Sequence, residues 1–299
     1  METIHFLQGF ASPSLNELML AITNLGSERA YIVLLLIAYL GVDARVGRYL
    51  AVALLTSFYL NFLLKGIIDT PRPYVLEPGV SLGDEYLATG TGPGFPSGHA
   101  QASTTFWGLA ALYMRRGWFW AVAVVVILLI SLSRVYLGLH LPIDVLGGIL
   151  IGIVFVLLAF ALFRTLETRR VSLFLTVLLG VLVPLAVHVL VPLTAPQLSF
   201  AESDLLMGGL AAFISAPALY PYRAPRALWQ RVVITLLGIV LVFAFLLGSS
   251  ALLPEPIKRD PFGGFLRYLV LGYVGTLLTP WLAGALRLTP PHDATPYHA

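Results

Sequence analysis

The chain has no cysteine, so it forms no disulfide and holds no metal through thiolate, and its redox compartment is left open by that count. Charge is scarce as well. Only 11 % of its 299 residues are Asp, Glu, Lys or Arg, against about a quarter in an ordinary soluble protein. No basic stretch followed by a long apolar core opens the chain, so METIHFLQGFASPS does not read as a cleavable signal peptide. No internal repeat recurs at a fixed period. What is abundant is the apolar run: 58 % of the residues are hydrophobic and the mean hydropathy is +0.88. The runs are too many for a single anchor and imply a polytopic membrane protein. The net charge of +3 is explained by arginines flanking those runs as topology signals, not by a nucleic-acid surface.

The expected fold is all-α, a polytopic membrane helical bundle of about nine transmembrane helices. Residues 1–27 form an N-terminal segment in which 13–26 read as an amphipathic helix at the membrane interface, capped by Ser12 or Ser14. Residues 28–166 form the core, with spans at about 28–42, 46–64, 100–114, 118–132 and 142–163 and one long polar loop at 66–96, rich in Gly and Pro. Residues 167–287 add further transmembrane helices, at about 171–193, 204–221, 229–252 and 264–286, and 288–299 read as a disordered tail. His188 lies inside an apolar run and is expected to hydrogen-bond between helices. Glu202 and Asp204 are expected as ordinary first-turn acids of the helix that follows.

The chemistry concentrates in three pieces: Lys65-x6-Arg72-Pro73, then Pro96-Ser97-Gly98-His99, then Ser133-Arg134-x5-His140-x3-Asp144. Two apolar runs joined by the turn Arg115-Arg116-Gly117 separate the second piece from the third, so the chain crosses and returns. His99, Arg134, His140 and Asp144 therefore meet at one membrane face. Lys65, Arg72 and Arg134 are three cations with few acids nearby and call for an anion, and the planar Arg fork suits phosphate oxygens. The helix that starts after Pro96 offers free backbone N–H groups as a second anion site. Asp144 can accept from Nδ1–H of His140 and leave Nε2 free, while His99 can protonate a leaving oxygen. Such a set suits phosphoryl transfer through a phosphohistidine. A metal site of His99, His140 and Asp144 is the rival, and the surrounding cations argue against it.

Over residues 65–144 the pattern resembles the type 2 phosphatidic acid phosphatase superfamily, which also contains the vanadium haloperoxidases and glucose-6-phosphatase. The resemblance implies an integral-membrane phosphatase in which His140 is the nucleophile, Asp144 its partner and His99 the acid. Lys65, Arg72, Ser97, Gly98 and Arg134 would hold the phosphate, with no metal and no cofactor. The spans beyond the common six, and Thr91-Gly92-Pro93-Gly94-Phe95 before the second piece, are similar to the glucose-6-phosphatase branch.

The substrate expected is a lipid phosphate monoester or diphosphate, of the phosphatidic acid, phosphatidylglycerol phosphate or isoprenyl diphosphate class. A sugar phosphate is the alternative, and a vanadate-dependent haloperoxidase or a transporter a remoter one. Partners are then the bilayer and the phosphorylated substrate, with no nucleic acid. Eleven of the 18 Lys and Arg residues fall on the face opposite the motif, so the positive-inside rule puts the motif on the outer face, in a cytoplasmic or plasma membrane.

Overall fold

The computed structural model describes residues 1–90, 92–167, 172–194 and 200–289. The tail from residue 290 on, Thr91, Arg169 and Arg170 lie outside the described residues. In chain order the helices are α1 (Glu2–Gln8), α2 (Pro13–Asn24), α3 (Glu28–Leu36, continued by a π-helical turn at Ile37–Val42), α4 (Ala44–Ile68), α5 (Pro73–Leu76), α6 (Asp84–Leu87), α7 (Gly98–Met114), α8 (Gly117–Tyr136) and α9 (Pro142–Glu167). They are followed by α10 (Leu173–Thr194), α11 (Phe200–Leu219), α12 (Leu228–Leu252), α13 (Glu255–Arg259), α14 (Pro261–Tyr273, continued by a π-helical turn at Val274–Leu278) and α15 (Thr279–Ala285). The described residues contain no strand, and the all-α membrane bundle is what the apolar runs require.

Each of the nine expected segments falls on a helix, yet nine is not the number long and apolar enough to cross a bilayer. Six helical stretches among the described residues meet that requirement, and a seventh does if α2 and the helix from Glu28 to Val42, bent by 51° at the break between them, count as one span. Of the others, α7 has 17 residues, about 26 Å of helix against a hydrocarbon core of about 30 Å. It is enclosed by its neighbours and carries buried Gln101, Ser103, Thr104 and Thr105, which a lipid-facing helix could not.

The largest core gathers Tyr39, Tyr49, Leu54, Phe106, Leu109, Phe163, Tyr222 and Ile234 between the first spans and α12. A second joins α4 to the C-terminal helices through Tyr59, Phe62, Met207, Ala211, Phe265 and Leu269. Between membrane helices such contacts stabilise by close van der Waals packing, since lipid tails are as apolar as leucine. A polar ladder adds to this. Asn61 Nδ2 donates to Gln101 Oε1 at 2.9 Å, Gln101 Nε2 donates to Ser57 O at 2.8 Å, and Ser57 Oγ lies 2.9 Å from Thr105 Oγ1. The ladder locks α7 against α4, which sets the start of α7 beside the end of α4.

His188, in α10, has partners on two other helices. Its Nδ1 lies 2.9 Å from Ser203 Oγ, and its Nε2 lies 2.9 Å from Pro261 O and 3.2 Å from Asp204 Oδ1. Because a carbonyl only accepts, Nε2 carries the hydrogen and Ser203 donates to Nδ1. Asp204 is therefore no ordinary first-turn acid. It lies buried past the first turn of α11, paired to a histidine.

Candidate active site

Four chain segments end at one end of the bundle. The helix α4 rises to Ile68, α7 descends from Gly98, α8 returns to Tyr136 and α9 descends from Pro142. Lys65 sits in the last turn of α4, whose cap is Asp69 in a left-handed conformation. Arg72 precedes Pro73, which holds it extended, and sends its guanidinium inward until only 3 % of the residue is exposed. Arg134 occupies the last turn of α8 and is fully buried. His140 lies in the short turn between α8 and α9. That turn needs Gly138, at φ +73, where a Cβ would also meet Val80 O at 2.3 Å.

The histidine and the carboxylate are arranged by the start of α9. Asp144 Oδ2 accepts from Leu141 N at 2.9 Å, a side chain in the first turn reaching back to the residue ahead of it. The same oxygen lies 3.4 Å from His140 Nδ1, within ion-pair range though short of hydrogen-bond geometry. Nε2 is not free as the sequence suggested, because Arg72 Nη1 stands 3.1 Å from it and 3.0 Å from Leu139 O. A guanidinium only donates, so Nε2 accepts and the ring is the neutral Nδ1–H tautomer. Burial first, then Arg72, Arg134 and Lys65, hold the His140 pKa well below the ordinary 6.5.

Ser97 begins α7 without capping it. Its hydroxyl makes no bond to the first turn and is buried with no partner among the described residues. Its own N–H goes to Asp144 O at 2.9 Å, tying the start of α7 to α9. The N–H groups of Gly98, His99 and Ala100 find no acceptor among the described residues. His99 is half-buried with its Cδ2 against Gly26, and the charges acting on it are those of Arg134, Arg72 and Lys65.

The three cations rest on neutral oxygens. Lys65 Nζ donates to Pro93 O and, at 3.4 Å, to Gly94 O. Arg72 Nε donates to Gly92 O at 2.7 Å. Arg134 Nη1 donates to Thr23 Oγ1 at 2.8 Å and Thr89 Oγ1 at 3.0 Å, and Nη2 donates to Thr89 O at 2.9 Å. Neither Lys65 nor Arg134 has a carboxylate partner among the described residues. Arg134 Nε is buried with no partner among the described residues. Gathered cations without counter-charge are costly, and a buried unmet donor adds to that. An oxyanion would relieve both. A hollow of about 390 Å³ opens beside Arg72, lined by Asp69, Thr70, Pro71, Arg72, Val75, Gly92 and Pro93.

The structure thus gathers Lys65, Arg72, Ser97, Gly98, His99, Arg134, His140 and Asp144 at one end of the bundle. Reasoning from sequence did not single out Thr23, Thr89, Asn61 or Gln101. For Asn61 a signal existed, since it is a polar residue in an apolar run one turn before Lys65. For the two threonines there was none.

Comparison with known proteins places these features in a family. The PAP2 superfamily model matches residues 47–168, and a second model, described as PAP2 superfamily phosphatase, transmembrane extension, matches residues 200–291. Undecaprenyl-diphosphatase of Sulfolobus acidocaldarius is 29 % identical over 147 residues, which are 46 % of this chain and 66 % of that protein. Sphingosine-1-phosphate phosphatase 2 of Mus musculus is 32 % identical over 150 residues, 48 % of this chain and 41 % of that protein. Phosphatidylglycerophosphatase B of Bacillus subtilis is 29 % identical over 154 residues, 47 % of this chain and 71 % of that protein. The chain spans about half the length of the curated relatives it matches. No solved structure matches it. The two family matches follow one another along the chain, the first taking in every motif residue and the second the helices packed behind them, and over most of its length the chain belongs to the PAP2 superfamily.

Proposed function

We propose that the protein is a metal-independent membrane phosphatase acting on a lipid-borne phosphate monoester or diphosphate through a phosphohistidine. The observation that carries this is two buried donors without partners among the described residues, Ser97 Oγ and Arg134 Nε, in a cluster of cations where Lys65 and Arg134 meet no carboxylate of those residues. A tetrahedral oxyanion satisfies both donors and supplies the absent charge.

In the reaction, His140 Nε2 attacks phosphorus as Arg72 Nη1 passes from Nε2 to a phosphoryl oxygen. The N–P bond forms, the P–O bond to the leaving group breaks, and His99, charged through the negative charge of the bound phosphate, gives its extra proton to that oxygen and becomes neutral. Asp144, 3.4 Å from Nδ1, offsets the positive charge that the ring acquires. Water then attacks the phosphohistidine and returns a proton to His99. Inorganic phosphate leaves, and His140 is neutral again. Lys65, Arg72, Ser97, Gly98 and Arg134 hold the three spectator oxygens throughout.

Two observations favour a lipid over a sugar phosphate. The relatives named above are named for lipid phosphates, while one other similar protein, glucose-6-phosphatase catalytic subunit 1 of Haplochromis nubilus, is named for a sugar phosphate. Exposed apolar side chains also stand where α4 ends and α5 begins, with Ile67, Ile68, Val75 and Leu76 around Arg72. Tails could then stay in the bilayer while the headgroup enters sideways. The arginine count supports the outer face for this end of the bundle.

The test is phosphate release by the purified protein in EDTA, from phosphatidic acid, phosphatidylglycerol phosphate, an isoprenyl diphosphate, a sphingoid phosphate and glucose 6-phosphate. Release from a lipid, inhibited by vanadate, is expected. Release from glucose 6-phosphate alone would support the sugar reading, and loss in EDTA with rescue by Zn²⁺ the metal rival. For the face, a cysteine at the exposed position 85 (Glu85→Cys) should react with an impermeant thiol reagent on intact cells, and one at 116 (Arg116→Cys) only after permeabilisation. The opposite pattern would move the site to the cytoplasmic leaflet.

A further inference from the structure

We propose that Thr23, in the last turn of α2, is a positioning residue that turns the phosphate-binding edge of Arg134 into the site. Thr23 lies outside the stretch matched by the PAP2 superfamily model, residues 47–168, and the inference rests on the phosphatase reading above.

A guanidinium has five N–H donors in one plane. Both hydrogens of Arg134 Nη1 are used, one by Thr23 Oγ1 at 2.8 Å and one by Thr89 Oγ1 at 3.0 Å. One hydrogen of Nη2 goes to Thr89 O at 2.9 Å. What remains is Nε–H, buried and unpartnered among the described residues, together with the second hydrogen of Nη2. Those two donors lie side by side, the arrangement that grips two oxygens of one phosphate. The threonines thus occupy the far end of the fork and leave the useful edge open. Arg134 Nη2 and Arg72 Nη1 both stand beside Gly90, at 3.1 and 2.9 Å from where a Cβ would be, so the open edge adjoins the arginine that touches His140.

Thr23 reaches Arg134 because the chain bends there. Gly26 N donates to Thr23 O at 2.9 Å, and α3 leaves at 51° to α2. The same bend sets Gly26 against His99 Cδ2. One break in the N-terminal helix therefore touches both the arginine and the acid histidine. Thr23 and Arg134 are both fully buried, so no water replaces the hydroxyl if it is removed.

The test uses the full-length protein in detergent, with phosphatidic acid in mixed micelles as substrate and orthovanadate as the bound probe. Thr23→Val keeps the shape and removes the acceptor, and Thr23→Ser keeps the acceptor. Thr23→Val should raise KM and the vanadate Ki roughly tenfold, the scale of one lost bond to a charged group, with kcat changed far less. Thr23→Ser should restore both. In an Arg134→Ala background, Thr23→Val should add nothing further to Ki, the mark of two residues acting as one. If Thr23→Val does not fold, Thr23→Ala against Thr23→Ser makes the same comparison. Equal impairment of the Val and Ser variants, or an additive effect on Ki in the Arg134→Ala background, would overturn the role while the phosphatase reading stands. A wild-type protein that neither binds vanadate nor releases phosphate would remove the reading and this role with it.

Discussion

Two histidine–carboxylate pairs are buried in this bundle, His140–Asp144 at the end of α8 and the start of α9, and His188–Asp204 between α10 and α11. Each pair is within 3.4 Å and each ring is buried. They differ in what surrounds them. Around His188 the named partners are Ser203 Oγ and Pro261 O, which belong to neighbouring helices, and the ring serves as a cross-link. Around His140 stand Arg72, Arg134 and Lys65, with an unmet hydroxyl and an unmet guanidinium N–H in the same cluster. A serine, a histidine and an aspartate within bonding distance are thus not enough to mark a reactive site. The unfilled donors and the surplus positive charge are what set the His140 cluster apart.

The comparison can be broken or sharpened by substitution. The largest effect should be at His140. His140→Ala should lower kcat on the order of a thousandfold or more, as loss of a nucleophile does, while vanadate binding persists in part on the remaining cations. Near wild-type turnover would remove His140 from the chemistry. His99→Ala should be milder, and its deficit should grow as the leaving group becomes poorer. A deficit of the same size across leaving groups would argue against an acid role.

The extension pair should respond in the opposite sense. His188→Ala strands Ser203, Asp204 and Pro261 O in the interior, so it should cost on the order of 2 kcal/mol of stability, read as a lower Tm in detergent. Turnover per folded molecule should be unchanged. A His188 variant with native Tm and abolished turnover would make the second pair catalytic and collapse the distinction.

The smallest effect is one of pH. His140 is held neutral by burial and by the neighbouring cations, so its pKa in the folded chain lies well below 6.5. On acidification through 6.5 the unfolded chain would protonate this ring while the folded chain does not. The ring should therefore stay the neutral Nδ1–H tautomer, seen by nitrogen NMR, and remain nucleophilic. Stability of the substrate-free protein contributed by this group is full above the unfolded value and falls below it as pH drops. A ring that titrates near 6.5 would mean that it is not held buried among these cations.

Much of this was legible in the sequence, for physical reasons that can be named. Apolar runs must become helices in a bilayer because no other open structure satisfies the backbone there, and so the runs located the helices, though not which of them are long enough to cross. The motif residues stood out because Lys65, Arg72, Arg134 and His140 are expensive at a membrane and stand with Ser97 and Asp144 in three short pieces of sequence. The break between α2 and α3 was not legible as a single bent element, and neither was the short α1, whose Gln8 donates to Val80 O and Tyr136 O. Those elements depend on long-range partners. The same holds for Thr23 and Thr89, which carry no unusual chemistry and acquire a role only where the fold sets them against Arg134. Asp204 was misjudged because an acid near a helix start is ordinary until a histidine from another helix reaches it.

The central claim is that His140 takes the phosphoryl group. Acid-free rapid quenching of the protein with ³²P-labelled phosphatidic acid, followed by peptide mapping, tests it most directly. Label on the peptide containing His140, stable to alkali and labile to acid, absent from His140→Ala and retained by His188→Ala, is the result expected. Label on any other side chain, or label that persists in His140→Ala, would contradict it.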